Sequence, residues 1–152
     1  MRLLSQREIS AREAVQAHLG RIEAVDGKLR AFTQVFRERA LADADRADRE
    51  RRGPLSGLPV SVKENFDFQG EATTMGVVGR AGSKAAADAA MVTALREAGA
   101  VVLGRTNLSQ LCLYAESRNP LFGQTANPWS LEHTPGGSSG GEGAAIAAGL
   151  SP

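Results

Sequence analysis

Apolar residues recur at helical spacing near the start of the chain. Ser10 and Glu13 form the pattern of a capping box, and apolar positions three to four residues apart follow them as far as Val25. The pattern predicts a helix that ends at Gly27, because glycine commonly follows a last helical turn. His18 lies on the apolar stripe, and we interpret it as packed at the edge of the core.

The next segments predict a short extended piece over 32–36 and a very polar helix over 37–52. Acidic and basic residues alternate along this helix, which is typical of a solvated face rich in charge pairs. A glycine-proline pair at 53–54 ends this part of the chain. We therefore expect residues 1–53 to form a helical N-terminal layer and residues 54–152 to begin an α/β core.

Two apolar runs, 58–62 and 100–103, predict strands of that core. Lys63 follows the first strand directly, and the ends of strands are where open α/β folds place their sites. The helix before the second strand makes a helix-to-strand unit of the α/β kind. We therefore expect an α/β fold.

The remaining segments are predicted as loops and short helices. They are a loop over 70–87, a helix capped by Asp88 and ending near Ala98, a short helix over 107–114, a loop over 119–135, a glycine-serine loop over 136–141 and a helix over 142–148.

Composition narrows the function classes. The chain has 18 Lys and Arg against 17 Asp and Glu, and this balance argues against a nucleic-acid partner. A single cysteine, Cys112, and two histidines exclude an internal disulfide framework and give no metal site. No apolar run reaches the ~18 residues of a membrane span, and the start lacks the apolar core of a signal peptide. We expect a soluble, cytoplasmic protein.

Glycine is enriched, at 17 of 152 residues, and the run Pro135-Gly-Gly-Ser-Ser-Gly-Gly141 concentrates it before a predicted helix. A phosphate loop is disfavoured because Glu142 stands where a lysine is needed. A nucleophile elbow is disfavoured because no histidine follows His133. A flexible linker stays open. The alternative is an active-site loop, because desolvated Lys63 in its neutral form can activate a serine hydroxyl such as Ser138.

Six segments in order resemble the amidase signature family. They are Leu58-Pro-Val-Ser-Val-Lys-Glu-Asn65, Thr73-Thr-Met-Gly76, Asp88-Ala-Ala-Met-Val92, Ala98-Gly-Ala-Val-Val-Leu-Gly-Arg-Thr-Asn107, Asn119-Pro-Leu-Phe-Gly-Gln-Thr-Ala-Asn-Pro-Trp129 and Pro135-Gly-Gly-Ser-Ser-Gly-Gly-Glu-Gly143. Within the last two, Asn119 to Thr125 and Gly140-Gly-Glu-Gly143 resemble stand-alone amidases, fatty acid amide hydrolase among them, more than the aminoacyl-tRNA amidotransferase A subunit. That subunit usually carries a small residue where Glu142 stands.

The resemblance implies a mixed β-sheet flanked by helices, incomplete within these 152 residues. It also implies an amidase with a Ser-cisSer-Lys triad and no metal or organic cofactor. It implies that Lys63 is the base and Ser138 the bridging serine, with a cis peptide bond after Gly137. Ser139 and Gly136 belong to the same loop as supporting residues. Cys112 matches a position that lines the acyl pocket, although a buried, inert thiol is the simpler interpretation.

The family's nucleophilic serine lies downstream of the bridging serine, in a turn that forms the oxyanion hole. Ser151 lacks that context. We therefore expect residues 1–152 to be the N-terminal part of a single amidase signature domain and to be inactive alone. The alternatives are an amidotransferase A subunit, which needs partner subunits, and a catalytically dead remnant. We expect a small-molecule amide as the substrate and leave a homo-oligomer open.

Overall fold

The first long helix, α2 (Ala11–Leu29), begins at the predicted capping box. In the computed structural model, which describes all of residues 1–152, the Ser10 hydroxyl accepts a hydrogen bond from the Glu13 amide at 3.1 Å. The Glu13 carboxylate in return accepts hydrogen bonds from the Ser10 amide and from the Ser10 hydroxyl, each at 2.8 Å, and these two bonds hold the pKa of Glu13 below its usual value. Two of the free amides of the first turn are thereby satisfied.

The predicted end of this helix at Gly27 is wrong. The helix runs two residues further because Leu29 continues the buried stripe, and Arg30 takes the left-handed conformation that ends it. The Asp26 carboxylate then accepts hydrogen bonds from the next two backbone amides, at 2.8 Å for Ala31. Burial raises the pKa of the Asp26 carboxyl, and the two backbone hydrogen bonds oppose that rise.

Four further helices and five strands complete the regular structure. The helices are α1 (Arg2–Ser5), α3 (Arg37–Glu50), α4 (Ala90–Glu97) and α5 (Gly140–Ala147). The strands are β1 (Phe32–Val35), β2 (Pro59–Lys63), β3 (Val101–Thr106), β4 (Arg118–Asn119) and β5 (Gly123–Gln124). None of the helices combines the length and the apolar character that a membrane crossing requires.

The main sheet has the order β1-β3-β2, with β3 in the centre. Strand β1 runs antiparallel to β3 and β2 runs parallel to it, so the predicted mixed sheet is confirmed. The strand predicted over 100–103 extends to Thr106, because Gly104 allows β1 to pair there. A Cβ atom on Gly104 would lie 2.2 Å from the Gln34 carbonyl oxygen.

Both faces of the sheet are covered. Helices α2, α3 and α5 share one hydrophobic cluster with Val101 and Leu103, while α4 covers the other face through Val92, Val62 and Val102. All six residues of β3 are buried, which is typical of a central strand with helices on both sides. The first half of β3 is therefore apolar on both faces, and its polar residues Arg105 and Thr106 lie at its carboxyl end.

Asp88 does not cap a helix, which corrects that prediction. Helix α4 begins after Ala89, without a side-chain cap. The Asp88 carboxylate instead accepts a hydrogen bond from the Gln69 amide at 2.7 Å and forms a short ion pair with Arg96. The carboxylate of an aspartate before a helix can accept hydrogen bonds from other segments as well as from the helix. Here it binds the loop that contains Gln69, 19 residues earlier in the chain.

Two other local predictions need correction. The short helix expected over 107–114 is only a 3₁₀ turn over Gln110–Cys112, because Leu111 and Cys112 have positive φ angles of 54° and 59°. The expected loop over 119–135 shares a small antiparallel ribbon, in which Asn119 of β4 pairs with Gly123 of β5. Neither the 3₁₀ turn nor the ribbon shows the regular spacing of apolar residues from which secondary structure can be predicted.

Truncation of Leu19, which is 1% exposed in the main hydrophobic cluster, should destabilise the chain strongly. We expect Leu19→Ala to lower the free energy of unfolding by about 2–5 kcal/mol, because it leaves a cavity between helix and sheet. Leu113→Ala is the matched control: Leu113 is 76% exposed, so its loss should change stability by less than about 0.5 kcal/mol. Urea denaturation measures both, and equal effects would contradict this core assignment.

Candidate active site

Lys63 is the last residue of β2 and pairs with Thr106 at the end of β3. Side chains alternate along a strand, so Ser61 and Lys63 point to one face and Val62 to the other. Val62 is buried in the cluster beneath α4, whereas Lys63 is half-buried on the face that α5 covers. The strand therefore presents its lysine to the glycine-serine loop.

The loop reaches the sheet because its glycines lack side chains. A Cβ atom on Gly137 would lie 2.7 Å from the Glu116 amide nitrogen, and one on Gly141 would lie 2.4 Å from the Asn107 amide nitrogen. The Gly141 amide donates to the Asn107 carbonyl oxygen at 3.2 Å, which ties the start of α5 to the residue after β3. These approaches exclude any larger residue, and they argue against the flexible-linker interpretation.

Lys63 and Ser138 meet in this arrangement. The Lys63 Nζ donates a hydrogen bond to the Ser138 Oγ at 2.8 Å, across 75 residues of sequence. The peptide bond between Gly137 and Ser138 is cis. The Ser138 carbonyl oxygen accepts a hydrogen bond from the Ser109 amide at 3.2 Å, so the backbone of the serine is held as well as its side chain.

The other predicted site residues lie around this pair. Ser139 is exposed and immediately precedes α5, while Gly136 has a φ angle of +89° and donates its amide to the Thr134 hydroxyl. Cys112 is half-buried, not fully buried, and its amide donates to the Ser109 carbonyl oxygen at 2.9 Å. Ser109 thus links Cys112 to Ser138 through the backbone. No three His, Cys, Asp or Glu side chains gather as a metal ion would require.

A buried ion pair supports the site from below. Glu64, next to Lys63, is 1% exposed, and its carboxylate accepts hydrogen bonds from Arg105 at 2.9 Å and from the Thr74 and Met75 amides at 2.8 and 2.9 Å. Burial lowers the pKa of Arg105, and the charge of Glu64 is the largest effect opposing it. Arg105 keeps its charge because arginine is protonated at any ordinary pH.

This ion pair also reaches the segment that carries Cys112. The Met75 amide is held by Glu64, and the Met75 carbonyl oxygen accepts a hydrogen bond from the Leu111 amide at 2.9 Å. The ion pair was missed at the sequence level. The signal was the acidic residue directly after the strand that ends in Lys63, with Arg105 near the end of the neighbouring strand.

A second polar cluster was missed as well. The Glu142 carboxylate accepts hydrogen bonds from the Ser61 hydroxyl and, at 2.8 Å, from the Thr106 hydroxyl. The Ser61 hydroxyl is also 2.9 Å from that of Ser151, which is 3% exposed. The alternation of Ser61 and Lys63 along β2 was the available sign that a polar group would face this side of the sheet.

The chain matches the protein-family model described as amidase over residues 13–152. The chain belongs to the amidase family. It is 44% identical over 149 residues to the A subunit of the glutamyl-tRNA(Gln) amidotransferase from Chromohalobacter salexigens, covering 95% of this chain and 31% of that protein. It is 40% identical over 152 residues to Amidase 1 of Gibberella moniliformis, covering 96% of this chain and 29% of that protein.

Solved amidases share the fold. The peptide amidase from Stenotrophomonas maltophilia superposes with a TM-score of 0.89 at 38% identity, covering 98% of this chain and 33% of that one. The chain therefore spans about a third of the length of the amidase relatives it matches.

Removal of the Glu64 carboxylate should unfold or strongly destabilise the chain. Glu64→Ala leaves the Arg105 guanidinium, 3% exposed, without its ion-pair partner, and we expect a loss of about 3–5 kcal/mol. Glu23→Ala is the control, because the Glu23 side chain is 74% exposed in its pair with Arg37 and such pairs contribute at most about 1 kcal/mol. Thermal and urea unfolding measure the difference, and similar losses would refute a structural role for the buried pair.

Proposed function

We propose that this chain supplies the lysine base and the bridging serine of an amide hydrolase that works through a Ser-cisSer-Lys triad. The observation that carries the proposal is the 2.8 Å hydrogen bond between Lys63 Nζ and Ser138 Oγ. Membership of the amidase family supports the choice of an amide C–N bond as the bond that is cleaved. The substrate class is a small carboxylic amide, and the proposed reaction requires no metal or organic cofactor.

The proposed first step is a proton relay. A nucleophilic serine outside residues 1–152 attacks the amide carbonyl carbon and passes its proton to Ser138 Oγ, while Ser138 passes its own proton to neutral Lys63 Nζ. The 2.8 Å separation suits transfer in either direction, because a neutral amine accepts a proton along the same line on which an ammonium donates one.

The relay then runs backwards. Lys63 returns a proton through Ser138 to the leaving nitrogen, the C–N bond breaks, and an amine departs from an acyl-serine ester. Water attacks this ester, its proton follows the same relay, and the carboxylic acid leaves with the serine hydroxyl restored. Every proton taken from a nucleophile is thus given to a leaving group, and the two residues end as they began.

Ser151 does not fit the role of the nucleophile. Its side chain is buried, its hydroxyl is hydrogen-bonded to Ser61, and it lies on the Glu142 side of the sheet face. The proposal therefore assigns residues 1–152 the relay without the attacking group. It follows that this chain by itself does not hydrolyse amides.

An aminoacyl-tRNA amidotransferase A subunit is the second candidate. The observation that favours it is the 44% identity to the corresponding protein of Chromohalobacter salexigens. The same relay would then release ammonia from an amide donor for transfer, and partner subunits would be needed. Ammonia transfer that depends on added partner subunits, with no hydrolysis of free amides, would favour this candidate.

A catalytically dead remnant is the third candidate. It predicts that every longer form of the protein is also inactive towards amides.

The 152-residue chain should show no amide hydrolysis above background. It provides a proton relay but neither a nucleophile nor the oxyanion-hole donors, one of which alone is worth about 3–4 kcal/mol of transition-state stabilisation. Release of ammonia or amine from simple amides measures this. Turnover that persists in Lys63→Ala would contradict the proposed mechanism.

Fusion restores the missing part and tests the relay directly. We expect a chimera, in which residues 1–152 replace the matched third of the Stenotrophomonas maltophilia peptide amidase, to hydrolyse a peptide amide. Lys63→Ala and Ser138→Ala should each lower its kcat by about 10²–10⁴-fold, the usual contribution of a positioned acid-base group.

Lys84→Ala is the matched control for the chimera, because Lys84 is an exposed lysine outside the site. It should leave kcat unchanged. An active chimera that tolerates both Lys63→Ala and Ser138→Ala would refute the relay, whereas loss of activity in the two site variants alone would support it.

A further inference from the structure

Glu142 has a carboxylate near the proposed relay that takes no part in the proton transfers. It lies in the first turn of α5, four residues after Ser138, and it is half-buried between helix and sheet. Its two oxygens accept hydrogen bonds from hydroxyls on two different strands, Ser61 of β2 and Thr106 of β3. One side chain therefore bridges three elements.

Both strand hydroxyls flank the lysine. Ser61 precedes Lys63 by two residues on the same face of β2, and Thr106 is the residue that pairs with Lys63 across the ladder. The carboxylate thus binds to the part of the sheet that carries the lysine. Its own helix begins immediately after the loop that carries Ser138.

The backbone of this region is attached to the segments that follow β3. The Gly140 amide donates to the Ser117 hydroxyl and the Gly141 amide to the Asn107 carbonyl oxygen, but neither bond reaches β2, the strand that carries Lys63. The bonds from Glu142 to β2 and β3 supply further points of attachment. Hydrogen bonds to a carboxylate are roughly twice as strong as neutral ones, and a negative charge is favourable in the first turn of a helix.

We propose that Glu142 is a positioning residue that holds the Ser138 loop at hydrogen-bond distance from Lys63. The inference rests on the proposed function, because the contact it maintains is the proposed relay. It assigns no proton transfer to Glu142. The charge strengthens the hydrogen bonds, but the geometry that they fix depends on the shape of the side chain, so a glutamine should keep the contact.

The NOE between the ε protons of Lys63 and the β protons of Ser138 reports this contact. The chain has only three lysines, Lys28, Lys63 and Lys84, so Lys63→Arg identifies the signals without ambiguity. We expect a clear cross-peak in the parent chain, its loss in Glu142→Ala and its retention in Glu142→Gln. Hydroxyls both donate and accept, so Ser61 and Thr106 can bind an amide as well as a carboxylate.

Glu132→Ala is the control, because Glu132 is an exposed acidic residue close in sequence to the same loop, and the cross-peak should remain. Should Glu142→Ala fail to fold, the double variant Ser61→Ala/Thr106→Val removes both donors and should lose the cross-peak in a folded chain. A folded Glu142→Ala, or a folded double variant, that keeps the cross-peak overturns the role of Glu142 and leaves the relay intact. A parent chain without the cross-peak overturns the relay and this inference together.

Discussion

The close approach of the glycine-serine loop to the ends of β2 and β3 is the constraint on which the site depends. At Gly137, Gly140 and Gly141 a Cβ atom would lie 2.4–2.7 Å from its nearest neighbour. Because these residues have no side chains, the loop packs directly against the backbone of Glu116 and Asn107. The Gly140 amide also donates a hydrogen bond to the Ser117 hydroxyl at 2.6 Å. The distance from Lys63 to Ser138 follows from that packing.

Two charged groups then hold the surroundings of the loop from opposite faces of the sheet. The Glu64–Arg105 pair fixes the segment around Met75, and through it the turn that carries Cys112. Glu142 ties α5 to the strands on the other face. The Glu64 and Glu142 carboxylates each accept hydrogen bonds on both oxygens, and removing those partners would be costly, so these arrangements restrict the loop to the observed geometry. A proton relay needs that restriction, because transfer requires a hydrogen-bond distance.

The sequence predicts the elements that rest on local chemistry. The capping box at Ser10, the strand before Lys63 and the glycine-rich loop are visible as short patterns, and the family resemblance adds the expectation that Lys63 and Ser138 meet. What it misses depends on distant partners. Asp88 has the right residue type for a cap, yet it binds a loop and Arg96 instead.

The extent of the regular elements is missed for a similar reason. Helix α2 passes Gly27 because Leu29 finds a place in the core, and β3 continues through Gly104 because β1 lies beside it. The Glu142 cluster joins residues that are 36 and 81 positions apart, a separation for which no local period exists. In these segments, contacts between distant residues determine the structure, because local sequence preference does not.

A crystal structure of residues 1–152 tests the central claim most directly, through the separation of Lys63 Nζ and Ser138 Oγ. We expect a hydrogen bond of ordinary length between these two atoms, with the loop packed against the ends of β2 and β3. A lysine turned to solvent, with Ser138 beyond hydrogen-bond reach in a chain that is otherwise folded as described, would contradict it.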